Sequence, residues 1–283
     1  MNESHEKFAE GTLFLVATPI GNLGDISRRA CEVLESVEVI ACEDTRRTGK
    51  LLELLGLRAQ RLMVANEHTE SSAGATVVAL LKQGQSVALV SDAGTPAISD
   101  PGQRLVRYVV EREHRVSVVP GPSAVTTALT LSGLSTDRWA MEGFLPRKGL
   151  ERDRRLAAVA SDDRTTVIFE SPKRLRRTLT DLATACGSDR QAAVMRELTK
   201  LFEESIRGSL AELSTRFSDD VKGEVVIVVG AASPQEVSDE AIVEALEAEL
   251  TNGLTKSGAV SQVTSNLGVA KNRVYSLAHE IRE

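Results

Sequence analysis

The segment Ser91-Asp92-Ala93-Gly94-Thr95-Pro96-Ala97-Ile98-Ser99-Asp100-Pro101-Gly102 packs two aspartates, two glycines and two prolines into twelve residues. That is too many breakers for a helix or a strand. What remains is a rigid loop that offers main-chain donors and acceptors beside two carboxylates, the chemistry of a small polar ligand held by backbone. The plainer reading is a tight connection with Asx turns at Asp92 and Asp100. Two further loops share the composition: Thr18-Pro19-Ile20-Gly21-Asn22-Leu23-Gly24-Asp25 and Pro120-Gly121-Pro122-Ser123-Ala124.

Other polar clusters could carry proton chemistry. Glu43-Asp44-Thr45-Arg46-Arg47 closes an apolar run and opens a helix, so its acids are either helix caps or anchors for a substrate hydroxyl. In Asn66-Glu67-His68-Thr69-Glu70, His68 is a lesser proton-transfer candidate that a neighbouring glutamate could orient. Phe169-Glu170-Ser171-Pro172 follows a buried-type strand and is succeeded by Lys173, Arg174, Arg176 and Arg177. Arg147-Lys148 precede a helix bearing Arg152, Arg154 and Arg155, and a third mixed cluster runs from Arg196 through Lys200 to Glu204. These runs are either solvated helix faces or a surface on which a polyanion docks.

The elements that must position these groups follow from apolar periodicity. Short apolar runs at 13–17 and 87–90, a run at 37–41 interrupted by Glu38, a weaker one at 61–65 and another at 116–119 alternate with helical stretches. Such alternation predicts a doubly wound parallel sheet with helices on both faces. All the loops at the carboxyl ends of its strands then lie along one edge, where open α/β sheets bind ligands. After Pro120-Gly121-Pro122 the strands (139–144, 166–169, 191–195, 225–229) are spaced less regularly, predicting a second α/β domain with a mixed sheet. A helical tail follows Gly230-Ala231-Ala232-Ser233-Pro234, with its last two helices split near Gly268 as a possible helix-turn-helix-like contact. The expected units are therefore 1–122, 123–231 and 232–283.

Composition narrows the classes of function. The chain has 283 residues, 42% hydrophobic and 26% charged, with 3% aromatics. Its net charge of −6 is uneven, because residues 232–250 hold six acids and no base, whereas 144–177 hold ten bases against five acids. Four scattered histidines and three cysteines without ligand spacing argue against a dedicated metal site. The odd cysteine count and the lack of a secretory signal point to a reducing cytoplasm, and no apolar run is long enough to span a membrane. A dinucleotide fingerprint is incomplete around Gly21 and Gly24, and Gly49-Lys50 lacks the rest of a phosphate loop.

Taken together and in order, several motifs closely resemble the 16S ribosomal RNA cytidine 2′-O-methyltransferases of the tetrapyrrole methylase (class III S-adenosylmethionine) superfamily. They are Val16 to Asp25, Glu43-Asp44-Thr45-Arg46, Ser91 to Pro96 with Ser99 to Gly102, Pro120 to Ala124, Glu142-Gly143-Phe144-Leu145-Pro146-Arg147-Lys148, Phe169 to Pro172 and Arg196-Glu197-Leu198-Thr199-Lys200. The resemblance covers roughly residues 11–230, and it departs at Ala65 to Glu70, where the family pattern reads His-Glu-His-Asn-Glu. It implies S-adenosylmethionine in a cleft between two α/β domains, a homodimer, and methylation of the ribose oxygen of a decoding-region cytidine in 16S RNA or the small subunit.

Carried over by position, the resemblance implies cofactor contacts at Pro19, Asp92, Ala93, Gly94, Thr95, Ser123, Ala124, Phe169 and Glu170. It implies RNA contacts at Arg46, Arg147, Lys148, Lys173, Arg174, Arg196 and Lys200. Deprotonating a ribose hydroxyl needs a nearby acceptor. The candidates are Lys200, provided burial lowers its pKa, and Glu43, Asp44 or Glu170. Two other readings stay open: a tetrapyrrole-precursor methylase, and a non-catalytic RNA-binding ribosome-assembly factor.

Overall fold

The computed structural model describes residues 10–66, 69–99, 101–217, 220–233 and 238–281. They form two compact units, Met1–Ala231 and Ala232–Glu283. Within the first unit, β1 (Thr12–Val16), β2 (Val39–Cys42), β3 (Leu62–Val64), β4 (Val87–Leu89) and β5 (Arg115–Val119) make a wholly parallel sheet in the order β3-β2-β4-β1-β5.

Alternate side chains of these strands enter two different cores. Leu13, Leu15, Val39, Ala41, Val87 and Leu89 pack beneath α3 (Glu70–Lys82) and α4 (Gln103–Val110), while Phe14, Val16, Ile40, Cys42 and Ala88 pack beneath α1 (Arg28–Ser36) and α2 (Thr45–Leu54). Burial on both faces is why the three inner strands β1, β2 and β4 are so apolar; the edge strands β3 and β5 are only partly buried. Ser27 caps α1 by accepting from the Ala30 amide at 3.0 Å, as its position before the apolar run predicts.

The strand order also fixes where a ligand can enter. From β1 the chain leaves toward β2 on one side of the sheet, and from β4 it leaves toward β5 on the other. The carboxyl ends of these adjacent strands therefore flank a topological switch point. Across it the Thr18 amide donates to the Gly94 carbonyl at 2.9 Å, and the Gly94 amide donates to the Thr18 carbonyl at 3.1 Å.

α5 (Ala124–Ser132) carries the chain to a second sheet of β6 (Trp139–Phe144), β7 (Thr165–Glu170), β8 (Gln191–Arg196), β9 (Glu204–Ser209) and β10 (Val225–Val229). Its order is β6-β7-β10-β8-β9; β6 and β7 run parallel and the other pairs antiparallel. The mixed sheet agrees with expectation, but β9 was missed. Glu-Ser-Ile-Arg-Gly-Ser has a single apolar residue and no alternation, because an edge strand buries only Ile206. One face packs on α6 (Leu150–Ser161), α7 (Leu175–Cys186) and α8 (Leu210–Arg216). The other packs on Val125, Ala128 and Leu129 of α5.

The loop after β1 joins the two sheets. Ile20 is buried in the core formed by α5 and the second sheet, and the Asn22 amide donates to Thr199 Oγ1 at 3.1 Å. Between them, Gly21 lies so close to the 198–200 segment that a β-carbon would fall 2.9 Å from the Leu198 carbonyl oxygen and 2.4 Å from Lys200 Cγ.

The unit Ala232–Glu283 folds α9 (Asp239–Thr251), α10 (Lys256–Leu267) and α11 (Lys271–Glu280) around Ile242, Leu246, Val260, Val263 and Val274. Gly268 ends α10 in the left-handed conformation, at the break read from the sequence. Among the described residues no helix is long and apolar enough to cross a membrane.

Gly21→Val is expected to force the two sheets apart locally and to lower stability by about 1–3 kcal/mol, the usual size of an overpacking penalty. Denaturant midpoints of the two proteins check this; an unchanged midpoint would mean that the 198–200 segment yields freely.

Candidate active site

Three loops meet at the switch point. Besides the Thr18–Gly94 pair, Thr18 Oγ1 donates to the Ser91 carbonyl at 3.2 Å and Thr95 Oγ1 donates to the Pro122 carbonyl at 3.2 Å. Pro19, Asp92, Ala93, Gly94, Thr95, Ser123 and Ala124 are thereby gathered around one edge of the first sheet, as their strand-end positions predict. Gly94 adopts φ +82°, and a β-carbon there would stand 3.3 Å from Ile20 Cγ2 and 3.7 Å from the Pro122 carbonyl oxygen. Ala97 and Ser99 hold φ of 68° and 59° without being glycine, a strained backbone of the kind that collects at ligand sites.

Asp92 is the most exacting residue of this group. Its Oδ2 accepts from the Arg47 guanidinium at 2.8 Å, and its amide donates to Glu43 Oε1 at 3.1 Å. Its Oδ1 is buried with no hydrogen-bond partner among the described residues. A buried acceptor left unpaired costs about 1–3 kcal/mol, so a bound ligand that brings a donor to this atom gains by pairing it. S-adenosylmethionine, with its amino group and ribose hydroxyls, supplies such donors.

Glu43 sits half-buried beside this aspartate. Burial pushes its carboxyl above the ordinary value of 4.5; the Asp92 amide pulls it back, the Asp92 charge raises it again, and Arg47 opposes. Among the expected acceptors, this is the carboxylate whose environment favours holding a proton. Asp44 is different. It caps α2, accepting from the Arg46 amide at 2.8 Å, and its two oxygens take the Arg46 guanidinium at 3.1 and 2.8 Å. That pairing holds its carboxyl well below the usual carboxylate range.

Glu170 is buried and fully engaged. Its Oε1 accepts from the Ser171 amide at 2.7 Å and pairs with Arg174 at 2.5 Å, while its Oε2 accepts from Thr178 Oγ1 at 2.6 Å. Arg174, expected to face RNA, thus turns inward, and it also donates to the Leu145 carbonyl at 3.2 Å. Arg196 is likewise occupied, pairing with Glu204 at 3.1 Å. Arg147, Lys148 and Lys173 are exposed, with no ion pair among the described residues.

Lys200 departs from the expectation attached to it. Burial pulls its pKa down, but hydrogen-bonded ion pairs with Glu197 at 2.9 Å and Glu224 at 3.0 Å more than reverse this, and the net shift is upward. It is held as an ammonium ion. Glu67 and His68 lie outside the described residues.

Sequence reasoning gave no specific role to Arg47, which braces Asp92, or to Arg152. The latter is 3% exposed and donates to Asp181 Oδ2 at 2.8 Å, Thr178 Oγ1 at 3.0 Å and the Pro146 carbonyl at 2.8 Å. The spacing of Glu170, Arg174 and Thr178, four residues apart along the entry to α7, is the one signal of this network in the sequence.

A family model of tetrapyrrole (corrin/porphyrin) methylases matches residues 12–214. A relative from Synechocystis sp., named ribosomal RNA small subunit methyltransferase I, is 42% identical over 96% of this chain and 98% of its own. Relatives of the same name from Mesorhizobium japonicum and Escherichia coli O157:H7 are 43% and 42% identical, covering 97% and 96% of this chain and 93% and 96% of theirs. Among solved structures, diphthine synthase superposes with a TM-score of 0.59 at 17% identity, covering 77% of this chain and 90% of that one. Uroporphyrin-III C-methyltransferase from Thermus thermophilus, solved in complex with S-adenosyl homocysteine, superposes with a TM-score of 0.55 at 16% identity, covering 77% and 97%. These two share the fold. The family match and the near-full-length identity bear out the resemblance carried by the motifs: the chain belongs to the tetrapyrrole (corrin/porphyrin) methylase family.

Proposed function

We propose that the protein is an S-adenosylmethionine-dependent methyltransferase of small-subunit ribosomal RNA, and that its acceptor is the ribose 2′-hydroxyl of a decoding-region cytidine in 16S RNA. The observation that carries this reading is Asp92 Oδ1, buried and without a partner among the described residues, at the meeting of three strand-end loops. The relatives named ribosomal RNA small subunit methyltransferase I direct it to RNA. On this reading the halves 1–122 and 123–231 enclose the donor, a second copy completes a homodimer, and the 232–283 unit adds RNA contact in the cytoplasm.

When bound, S-adenosylmethionine supplies a methyl group on a sulfonium that leaves readily. The C–S bond breaks as the C–O bond forms, and the hydroxyl proton must go to an acceptor. The chain's own work is placement and that proton. Asp92, Gly94, Thr95, Ser123 and Ala124 would hold the donor, with Pro19 and Phe169 as apolar walls. Glu43 is the favoured proton acceptor, because burial already raises its affinity for a proton. Asp44 and Glu170 are less suited, being tied to Arg46 and to Arg174 and Thr178. Lys200, held as a cation, suits charge stabilisation rather than proton abstraction at neutral pH.

Labelled S-adenosylmethionine offered with assembled small subunits or with naked RNA tests the assignment. Label recovered in a 2′-O-methyl cytidine is expected; label in a tetrapyrrole precursor, or none in RNA despite binding, would contradict it. Glu43→Gln is expected to lower kcat by about 10²–10⁴-fold, the range for losing a general base, while donor affinity stays unchanged. In the wild type, activity should fall on acidification through a limb above the ordinary carboxylate value of 4.5, since the base must be unprotonated to act. Glu43→Gln should abolish that limb, and retention of it would assign the base elsewhere. Gly94→Leu is expected to eliminate donor binding in calorimetry while circular dichroism stays native; unchanged affinity would displace the donor from this loop.

A further inference from the structure

β6 is an edge strand, paired among the described residues with β7 alone, and it is bulged near its end. The register with β7 shifts between Met141 and Gly143, and Gly143 takes φ +73°. The extra residue, Glu142, is pinned by Arg155, which donates to its carbonyl at 2.7 Å and also pairs with its carboxylate. A bulge of this kind bends the strand and re-aims the side chains beyond it. The residue re-aimed here is Phe144, an aromatic left 57% exposed at the end of a strand. Its ring rests against Phe169, with centroids 5.6 Å apart and planes at 53°, so one side is backed and the other open.

The next residues form a rigid cationic turn. Leu145 is buried, and two largely inward-facing guanidiniums clamp the backbone: Arg174 on the Leu145 carbonyl at 3.2 Å and Arg152 on the Pro146 carbonyl at 2.8 Å. Both clamps are anchored in turn by Glu170, Thr178 and Asp181. Arg147 and Lys148 follow at once, exposed and without ion pairs among the described residues. The whole assembly adjoins the donor loops, because a β-carbon on Gly143 would lie 3.6 Å from Ser99 Oγ.

An open aromatic face held rigid beside two unpaired cations matches single-stranded nucleic acid, which presents a base to stack and phosphates to neutralise. We propose that Phe144 is a positioning platform for the RNA substrate: a base at or next to the target nucleotide stacks on its open face, while Arg147 and Lys148 bind the flanking phosphates. The buried Glu170–Arg174–Thr178–Arg152–Asp181 network then acts through this turn, which explains why Glu170 is sealed from solvent. The inference rests on the RNA reading given under Proposed function.

The test is steady-state methylation of small subunits by Phe144→Ala, Phe144→Leu and Phe144→Trp. Alanine and leucine are expected to raise KM for the RNA about tenfold or more, the size of one lost base stack, and tryptophan to restore it. Donor affinity and molecular mass in solution should match wild type in all three. An RNA KM within twofold of wild type for Phe144→Ala would overturn the inference. So would a parallel loss of donor affinity, which would make Phe144 a donor contact, or a change in mass, which would make it a contact between copies. The double change Arg147→Gln with Lys148→Gln should flatten the slope of log affinity against log salt by about 1.4, two phosphate contacts at about 0.7 each; an unchanged slope would remove the phosphates from the scheme. Failure of the wild-type protein to transfer any label to RNA is a distinct result, which overturns the RNA reading and this inference with it.

Discussion

The two main-chain hydrogen bonds between Thr18 and Gly94 are the constraint on which the rest of the site depends. They tie the loops of β1 and β4 together at the point where the chain departs in opposite directions, and so convert a diverging crevice into a closed floor. Each such bond contributes only about 0.5–1.5 kcal/mol net, but together they decide the backbone path. The path demands a left-handed residue at 94, which glycine takes without steric cost. It also sends Ile20 into the core of the second sheet and brings Gly21 against the 198–200 segment.

From that floor the electrostatics follow in sequence. Asp92 is steered by Arg47 from one side and by Glu43 through its own amide from another, which leaves one oxygen buried and without a donor among the described residues. The same proximity keeps Glu43 half-buried and disposed to hold a proton. Across the cleft the second sheet contributes a different kind of order, in which carboxylates are spent on fixing arginines rather than on chemistry. Glu170 and Asp181 neutralise Arg174 and Arg152, and those two hold the turn that carries Phe144, Arg147 and Lys148 outward.

Much of the framework was legible in the sequence because its physics is local. Leu13 to Ala17 and Val87 to Val90 read as strands since both their faces are buried, and the breaker-rich stretches after them read as loops since nothing else accommodates that density of glycine and proline. Glu204 to Ser209 was not legible, because an edge strand with one buried side chain leaves no periodic trace. The candidate site divides in the same way. Its main-chain loops could be read from composition, whereas the state of its ionisable groups depends on partners remote in sequence. Lys200 owes its raised pKa partly to Glu224, and Asp92 its orientation to Arg47, contacts that only the folded chain creates.

A crystal structure of the protein with S-adenosylhomocysteine is the most direct test of the central claim, that the β1–β4 switch point is the methyl-donor site. The expected result is a ligand lying across Thr18 to Pro19, Asp92 to Thr95 and Ser123 to Ala124, with a ligand amine or hydroxyl donating to Asp92 Oδ1. A ligand bound elsewhere, or bound here with Asp92 Oδ1 still unpartnered, would contradict it.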